Sequence, residues 1–260
     1  MDELNGQPAD AGAVRALALA NYGHFTTFRV DDGRVRGLAL HLERLERDCR
    51  AVFGADLDTA RVRAYVRHAL RERGGDSPLV RVSVFDPGLD IGRPASAGEP
   101  HVLVTTRPGA PAGLPPLRVG TVPYVRDLAA VKHVGLFGAL HARRRAQLDG
   151  YDDALFHGPD GRVTEGPTWN AGFVDGEGRV VLPEGDVLPG VTLELIRRQY
   201  ACVARPVTVA EARGMRAGFA TSTGIGVRAL ASVDGRPLAT DDPVLGALRE
   251  TYERVPGDPL

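Results

Sequence analysis

Between Arg107 and Pro123 the chain reads RPGAPAGLPPLRVGTVP, in which eight of seventeen residues are proline or glycine. Proline fixes φ and removes a hydrogen-bond donor, and glycine loosens the backbone, so a run this dense interrupts both helices and central strands. It divides the 260 residues into two stretches, each long enough to bury a core. The expectation is a small N-terminal domain over 1–110, an irregular semi-rigid linker over 111–123 and a larger C-terminal domain over 124–260.

On either side, hydrophobic periodicity mixes strands with helices. FTTFRV (Phe25–Val30) reads as a strand, Asp31-Asp32-Gly33 as a hairpin turn and Arg34–Leu38 as its partner. Leu42, Leu45, Cys49, Val52 and Phe53 fall at helical spacing in His41–Gly54, with Gly54 as a stop. A second helix follows over Leu57–Glu72, stopped by Gly74-Gly75. Strands are expected at Leu79–Phe85 and His101–Thr106.

Past the Pro/Gly run, Phe137–Leu148 is a helix and Asp153–His157, Arg162–Glu165, Asn170–Val174 and Arg179–Leu182 are strands. A helix starts near Thr192, strands lie at Gly218–Ser222 and Val227–Val233, and Asp242–Arg254 closes the chain as a helix. Residues 1–12 read as a frayed tail. Strict βαβ alternation is missing, so the fold class is α+β, a mixed α/β chain in two domains.

Charge narrows function. A net charge of −1 gives no global attraction to nucleic acid or acidic membrane. Cys49 and Cys202 stand alone, without the spacing of a zinc site or disulfide framework. The start MDELNGQPADAG is not a secretory signal and no run approaches 18 apolar residues, so a cytoplasmic protein is expected. Lys132 is the only lysine, beside 31 arginines. Arginine replaces lysine as a surface charge, but it does not lose its proton to attack a carbonyl. A single retained amine therefore points to amine chemistry, with Schiff-base formation first.

Three weaker features follow Lys132. Glu165 lies in a TEGPTWN turn, LPGVT (188–192) runs into a helix N-terminus suited to phosphate, and Thr221-Ser222-Thr223-Gly224 is a hydroxyl-rich turn. Alone, each is also ordinary surface, capping or turn chemistry. Their order, with His41-Leu42-Glu43-Arg44-Leu45 upstream and GYDDALFHGPDGRVTEGPTWN downstream of AVKH, resembles the class IV aminotransferase family. The resemblance covers about residues 21–237, in five separated blocks.

The resemblance implies a pyridoxal 5′-phosphate (PLP) enzyme of fold type IV with the cofactor between two domains, a homodimer, and amino acid and 2-oxo acid substrates. Lys132 is then the catalytic residue, joined to the cofactor as a Schiff base. Glu165 serves the pyridine nitrogen. Arg44, the amides of Val191 and Thr192, and Ser222 and Thr223 hold the phosphate. Phe25, Phe137, Trp169 and His133 are candidates for the substrate pocket, although neighbours on a strand face opposite ways, which turns His133 from Lys132.

The chain also departs from the family pattern. KHVGLF (132–137) lacks the Asn, Arg or Tyr that often follows the lysine. GHFTT (23–27) lacks the acid of G-x-F-E-T, and Trp169 stands where a small residue is usual. These changes bear on the substrate. Transamination is the favoured expectation; a lyase-like elimination releasing pyruvate and a non-catalytic phospho-ligand-binding relative are the alternatives.

Overall fold

The computed structural model describes residues 2–73, 78–96, 98–109 and 113–260. The chain forms two compact units: Met1–Ala110 with Val131–Gly135 and Pro256–Leu260, and Pro111–Ala130 with Leu136–Val255.

In the first unit, β1 (Glu3–Leu4) and β2 (Gln7–Pro8) form a small hairpin, followed by α1 (Ala11–Ala20), β3 (His24–Arg29), β4 (Arg34–Arg36), α2 (Leu38–Phe53), α3 (Thr59–Arg73), β5 (Leu79–Phe85) and β6 (His101–Arg107). The antiparallel sheet runs β2-β1-β6-β5-β3, so β3 is an edge. Alternation sorts β5. Val80, Val82 and Val84 join Phe28, Val66, Val102 and Val104 in one core, with Leu45 and Cys49 of α2. Phe85 and Leu103 pack instead with Ala13 of α1.

Residues 2–12, the described part of the expected frayed tail, are therefore ordered in a hairpin and a capped helix start. Asp10 caps α1 by accepting the Ala13 N–H at 2.9 Å, and Asn21 ends it at φ 48°. The Asp32-Gly33 turn forms, with φ 49° and 71°, but β4 does not pair with β3 as a ladder. Gly74-Gly75, expected to stop α3, lies outside the described residues, as do 111 and 112 of the expected linker.

In the second unit the elements are β7 (Leu117–Pro123), α4 (Phe137–Leu148), β8 (Asp153–His157), β9 (Asn170–Val174), β10 (Val180–Pro183), α5 (Val191–Arg197), β11 (Cys202–Arg205), α6 (Val209–Gly214), β12 (Ala217–Ser222), β13 (Gly226–Val233), β14 (Arg236–Pro237) and α7 (Pro243–Glu253). The sheet runs β11-β10-β9-β12-β13-β7-β8, with β14 on β13. Trp169, Ala171, Phe173, Val181 and Leu230 are among its core residues, while Ala139, Ala142 and Ala146 seat α4 on Val122, Ala154 and Phe156.

Two expectations fail here. Leu117–Pro123, read as irregular, is a strand parallel to both β13 and β8. Leu117, Val119 and Val122 are buried, and its one internal proline-free stretch suffices for the ladder. Arg162–Glu165 makes only isolated bridges, to His157, Thr208 and Asn170, because its successive residues pair in different directions. Finally, β15 (Gly257–Pro259) returns to the first unit and pairs with β4. Asp258 accepts the Leu38 N–H at 3.1 Å, placing an acid at the start of α2.

Candidate active site

In the first unit, Lys132 lies in a short segment laid along the edge strand β3. The Phe25 N–H donates to the Lys132 carbonyl (2.8 Å) and the Val134 N–H to the Gly23 carbonyl (2.9 Å). Across this edge His24 bridges His133. The Lys132 Nζ stands 4.9 Å from the centre of the Phe25 ring, and the Arg81 guanidinium carbon 3.7 Å from the same centre. Thus Lys132, His133 and Phe25 come together. Among the described residues no carboxylate pairs with Arg81; its Nε donates to Ser83 Oγ.

α2 buries two parallel stripes. Leu38, Leu45 and Cys49 enter the core, and His41, Arg44 and Asp48 lie beside them, also buried. Arg44 Nη2 donates to Thr26 Oγ1 and to His41 Nδ1 (3.2 Å). Because Nδ1 accepts there, the imidazole proton belongs on Nε2, and the Thr26 hydroxyl can donate to Nδ1 across 2.8 Å. Burial, then Arg44 and Lys132, hold His41 well below the usual imidazole value, so it is neutral at pH 7. Burial lowers Arg44 to about 10, which leaves it charged. Thr26 occupies the place of the family's acid, and among the described residues Arg44 forms no ion pair.

His24 is fully buried with neither ring nitrogen bonded among the described residues, and burial lowers it from 6.5 to about 4. In the unfolded chain it takes a proton near pH 6.5; in the folded chain it does not until about pH 4. Stability therefore falls as pH drops through this window, by about 3 kcal/mol at its lower end. His41 shifts the same way and adds to the loss. Urea unfolding at pH 7 and pH 4.5 checks this: a His24→Leu protein should lose clearly less stability between the two than wild type. Equal losses would exclude His24.

In the second unit, Glu165 is buried and held from three sides. Arg126 Nε lies 3.0 Å from Glu165 Oε1 as an ion pair, both side chains nearly inaccessible. Its N–H is not aimed for a hydrogen bond, so the contact is electrostatic. Glu165 Oε2 accepts the Leu188 N–H (3.2 Å) and an Asn170 amide N–H (3.4 Å). Asn170 also donates to the Leu188 carbonyl at 2.8 Å. The loop must pass close by: a Cβ on Gly190 would lie 1.9 Å from Asn170 Oδ1.

Gly190, not Thr192, is the N-cap of α5, and no side chain caps it. Val191 and Thr192 are its first two residues, both buried. The hydroxyls of Thr192 and Thr221 are buried without a hydrogen-bond partner among the described residues. Ser222 and Thr223 are half-buried in the turn closed by the Ile225 N–H on the Ser222 carbonyl. Thr221 pairs with Asn170 across β12 and β9.

The other two pocket candidates belong to the second unit. Trp169 is in the hydrophobic core, its indole N–H on Asp153 (2.9 Å) and its ring under Gly166. Phe137 is 80% exposed at the start of α4, stacked on His141.

The family model for class IV amino-transferases matches residues 23–233. The chain belongs to that family. It is accordingly a PLP-dependent aminotransferase. The branched-chain aminotransferase of Thermoproteus uzoniensis, crystallised with norvaline, superposes with a TM-score of 0.87 at 22% identity, covering 97% of this chain and 93% of that one. A hypothetical aminotransferase of Mycobacterium tuberculosis in its PLP-bound form gives 0.81 at 20%, covering 98% of each. A fold IV transaminase of Curtobacterium pusillum gives 0.77 at 23%, covering 91% and 85%. At these identities the likeness is one of fold. No curated protein matches the sequence significantly.

The residues fit the cofactor of a class IV aminotransferase. Orphaned buried polar atoms are rare and ask for a partner. Among the several in the described residues are Arg44 Nε in the first unit and, in the second, the Thr192 and Thr221 hydroxyls, each able to donate to a phosphate oxygen. Glu165 is a buried carboxylate, an acceptor of the kind a pyridinium N–H requires. Among the described residues no cluster of His, Cys, Asp and Glu could hold a metal, and no helix is long and apolar enough to cross a membrane.

Two polar residues were missed from the sequence, Asp48 and Arg126, and Thr221 was read as part of its turn without being placed in the phosphate set. For Asp48 a signal existed, since an acid at position 48 shares the buried face set by 41, 45, 49 and 52. Nothing local marks Arg126.

Proposed function

We propose that this aminotransferase moves an amino group between an α-amino acid and a 2-oxo acid, with Lys132 as the reacting amine. The observation that carries the reading is the pair of cations at Phe25. An amine and a guanidinium sit at one aromatic ring, and among the described residues no carboxylate pairs with that guanidinium. Amino acids and 2-oxo acids present a nitrogen- or oxygen-bearing carbon next to a carboxylate, which matches such a pair.

When bound, PLP supplies the aldehyde that receives the amino group and the ring that withdraws electrons from the substrate Cα. Lys132 would hold the cofactor through its Nζ, and the same amine, once released, would take and return the substrate proton. Glu165, held by Arg126 and the Leu188 N–H, would accept the pyridine N–H. As the family implies, Arg44, the Val191 and Thr192 amides and the Thr192, Ser222 and Thr223 hydroxyls would hold the phosphate, with Thr221 added to the set. Phe25 and His133 lie at the reacting amine, and Trp169 supports the Glu165 turn from the core. Homodimeric assembly belongs to the same proposal and rests on the family.

The test is a single half-reaction. Mixed with amino acids in the absence of any 2-oxo acid, the PLP-loaded protein should convert once to its pyridoxamine form and release one equivalent of oxo acid. Addition of a 2-oxo acid should reverse the spectrum. Repeated turnover of aminodeoxychorismate to pyruvate with no acceptor would replace transamination by lyase chemistry.

A further inference from the structure

We propose that Asp48 is a positioning residue for Lys132, its buried carboxylate fixing the lysine by the main-chain N–H. The inference rests on the reading of Lys132 as the reacting amine.

Asp48 Oδ2 accepts the Lys132 N–H at 2.9 Å, across 84 residues of sequence. In a regular antiparallel ladder, the pair formed by Phe25 and Lys132 exchanges two bonds. Here the Lys132 carbonyl takes the Phe25 N–H, while the Lys132 N–H goes to the side chain of α2. The carboxylate thus turns the Lys132 amide from the sheet toward the helix, at the residue whose side chain must reach a substrate. Flanking bonds to β3 fix the segment along the strand; Asp48 fixes its rotation about the strand axis. Both dimensions must be set if Nζ is to keep its place over Phe25.

The carboxylate is itself rigidly held. Asp48 is fully buried, and its Oδ1 receives Arg47 Nε (3.0 Å) and Nη2 (2.7 Å). Arg47 is about half exposed, so solvent can reach the outer side of the pair. Asp48 sits one helical turn beyond Arg44, so one helix carries both the proposed phosphate cation and the anchor of the lysine. Any displacement of α2 would move the two together.

The sole lysine makes the test direct. Apo protein labelled with 15N-lysine gives a single lysine main-chain amide resonance, that of Lys132. Its exchange with solvent should be slowed at least about 100-fold relative to an unstructured amide. Asp48→Asn keeps an oxygen acceptor and should retain this protection. Asp48→Ala should lose at least about tenfold in protection, the scale of one charge-assisted hydrogen bond. In the same three proteins, the rate at which PLP forms a borohydride-trapped adduct on Lys132 should stay within about threefold in Asp48→Asn and fall at least about tenfold in Asp48→Ala, with circular dichroism unchanged.

An unprotected amide in wild type overturns the proposal. So does Asp48→Ala behaving as wild type, or Asp48→Asn failing as badly as Asp48→Ala. If Asp48→Ala does not fold, wild type and Asp48→Asn decide alone: retained protection and adduct rate in Asp48→Asn support it, and their loss overturns it. Absence of any adduct in wild type would sink the role of Lys132, while the amide exchange would still report on Asp48.

Discussion

Lys132→Arg should abolish turnover while leaving the fold and the positive charge in place. The expected fall in kcat is at least about 1,000-fold, the scale of losing a positioned general base, and the loss of covalent attachment adds to it. Arginine is the informative substitution because the chain uses it everywhere else for positive charge. Lys132 Nζ lies over Phe25, and a guanidinium can occupy such a site, as Arg81 does on the same ring. Charge, bulk and cation–π contact are thus largely retained, while the ability to lose a proton is not. Three measurements check the result: kcat in the half-reaction, the visible absorbance of bound PLP, and peptide mass after borohydride. In wild type the adduct should fall on the peptide containing Lys132. With no other lysine in the chain, the variant should yield no lysine adduct at all. Wild-type turnover in Lys132→Arg would sink the assignment of this residue and, with it, the mechanism built on it.

The elements that sequence reading placed without error share a physical property. Leu79–Phe85, Asp153–His157, Asn170–Val174 and Phe137–Leu148 are closed by turn or breaker residues and are long enough to show their period. Leu117–Pro123 was lost to its prolines, yet Pro123 ends the strand and Pro115 and Pro116 precede it. Gly120 also belongs in the strand for a nonlocal reason, since a Cβ there would lie 2.4 Å from the Tyr151 ring. The α6 helix carried a legible signal, a Thr208–Glu211 capping box, that went unread. In the candidate site, Lys132, Glu165 and Arg44 were legible as spaced residue types. What they touch was not. The Lys132 amide finds its acceptor 84 residues away, and Glu165 finds Arg126 from a loop whose sequence, YVRD, gives no sign of burial. Thr192, open to reading as a cap, leaves that work to Gly190, which also gives Asn170 the space for its bond to Leu188.

Arg126→Leu should destabilise the protein by about 3–5 kcal/mol, because removing one member of a buried ion pair leaves the other charge in a poorly solvated place. Arg126 and Glu165 side chains are 6% and 4% exposed, so water cannot replace the guanidinium without opening the fold. The Leu188 N–H and the Asn170 amide still donate to Glu165, but both are neutral and both contact only Oε2. Urea unfolding of apo protein reads the loss without any contribution from cofactor. The decisive comparison is a double-mutant cycle with Glu165→Leu. Each single variant strands a buried charge, whereas the pair Arg126→Leu and Glu165→Leu removes both, so the double variant should be more stable than the sum of the two single losses predicts. Additive losses would mean that the 3.0 Å approach carries no coupling. PLP affinity separates structure from function in the same set. Because Arg126 acts by pairing with the Glu165 carboxylate and holding it in place, Arg126→Lys should retain much of the affinity that Arg126→Leu loses. Glu165→Leu, which removes the acceptor for the pyridine N–H itself, should lose affinity whether or not Arg126 is present.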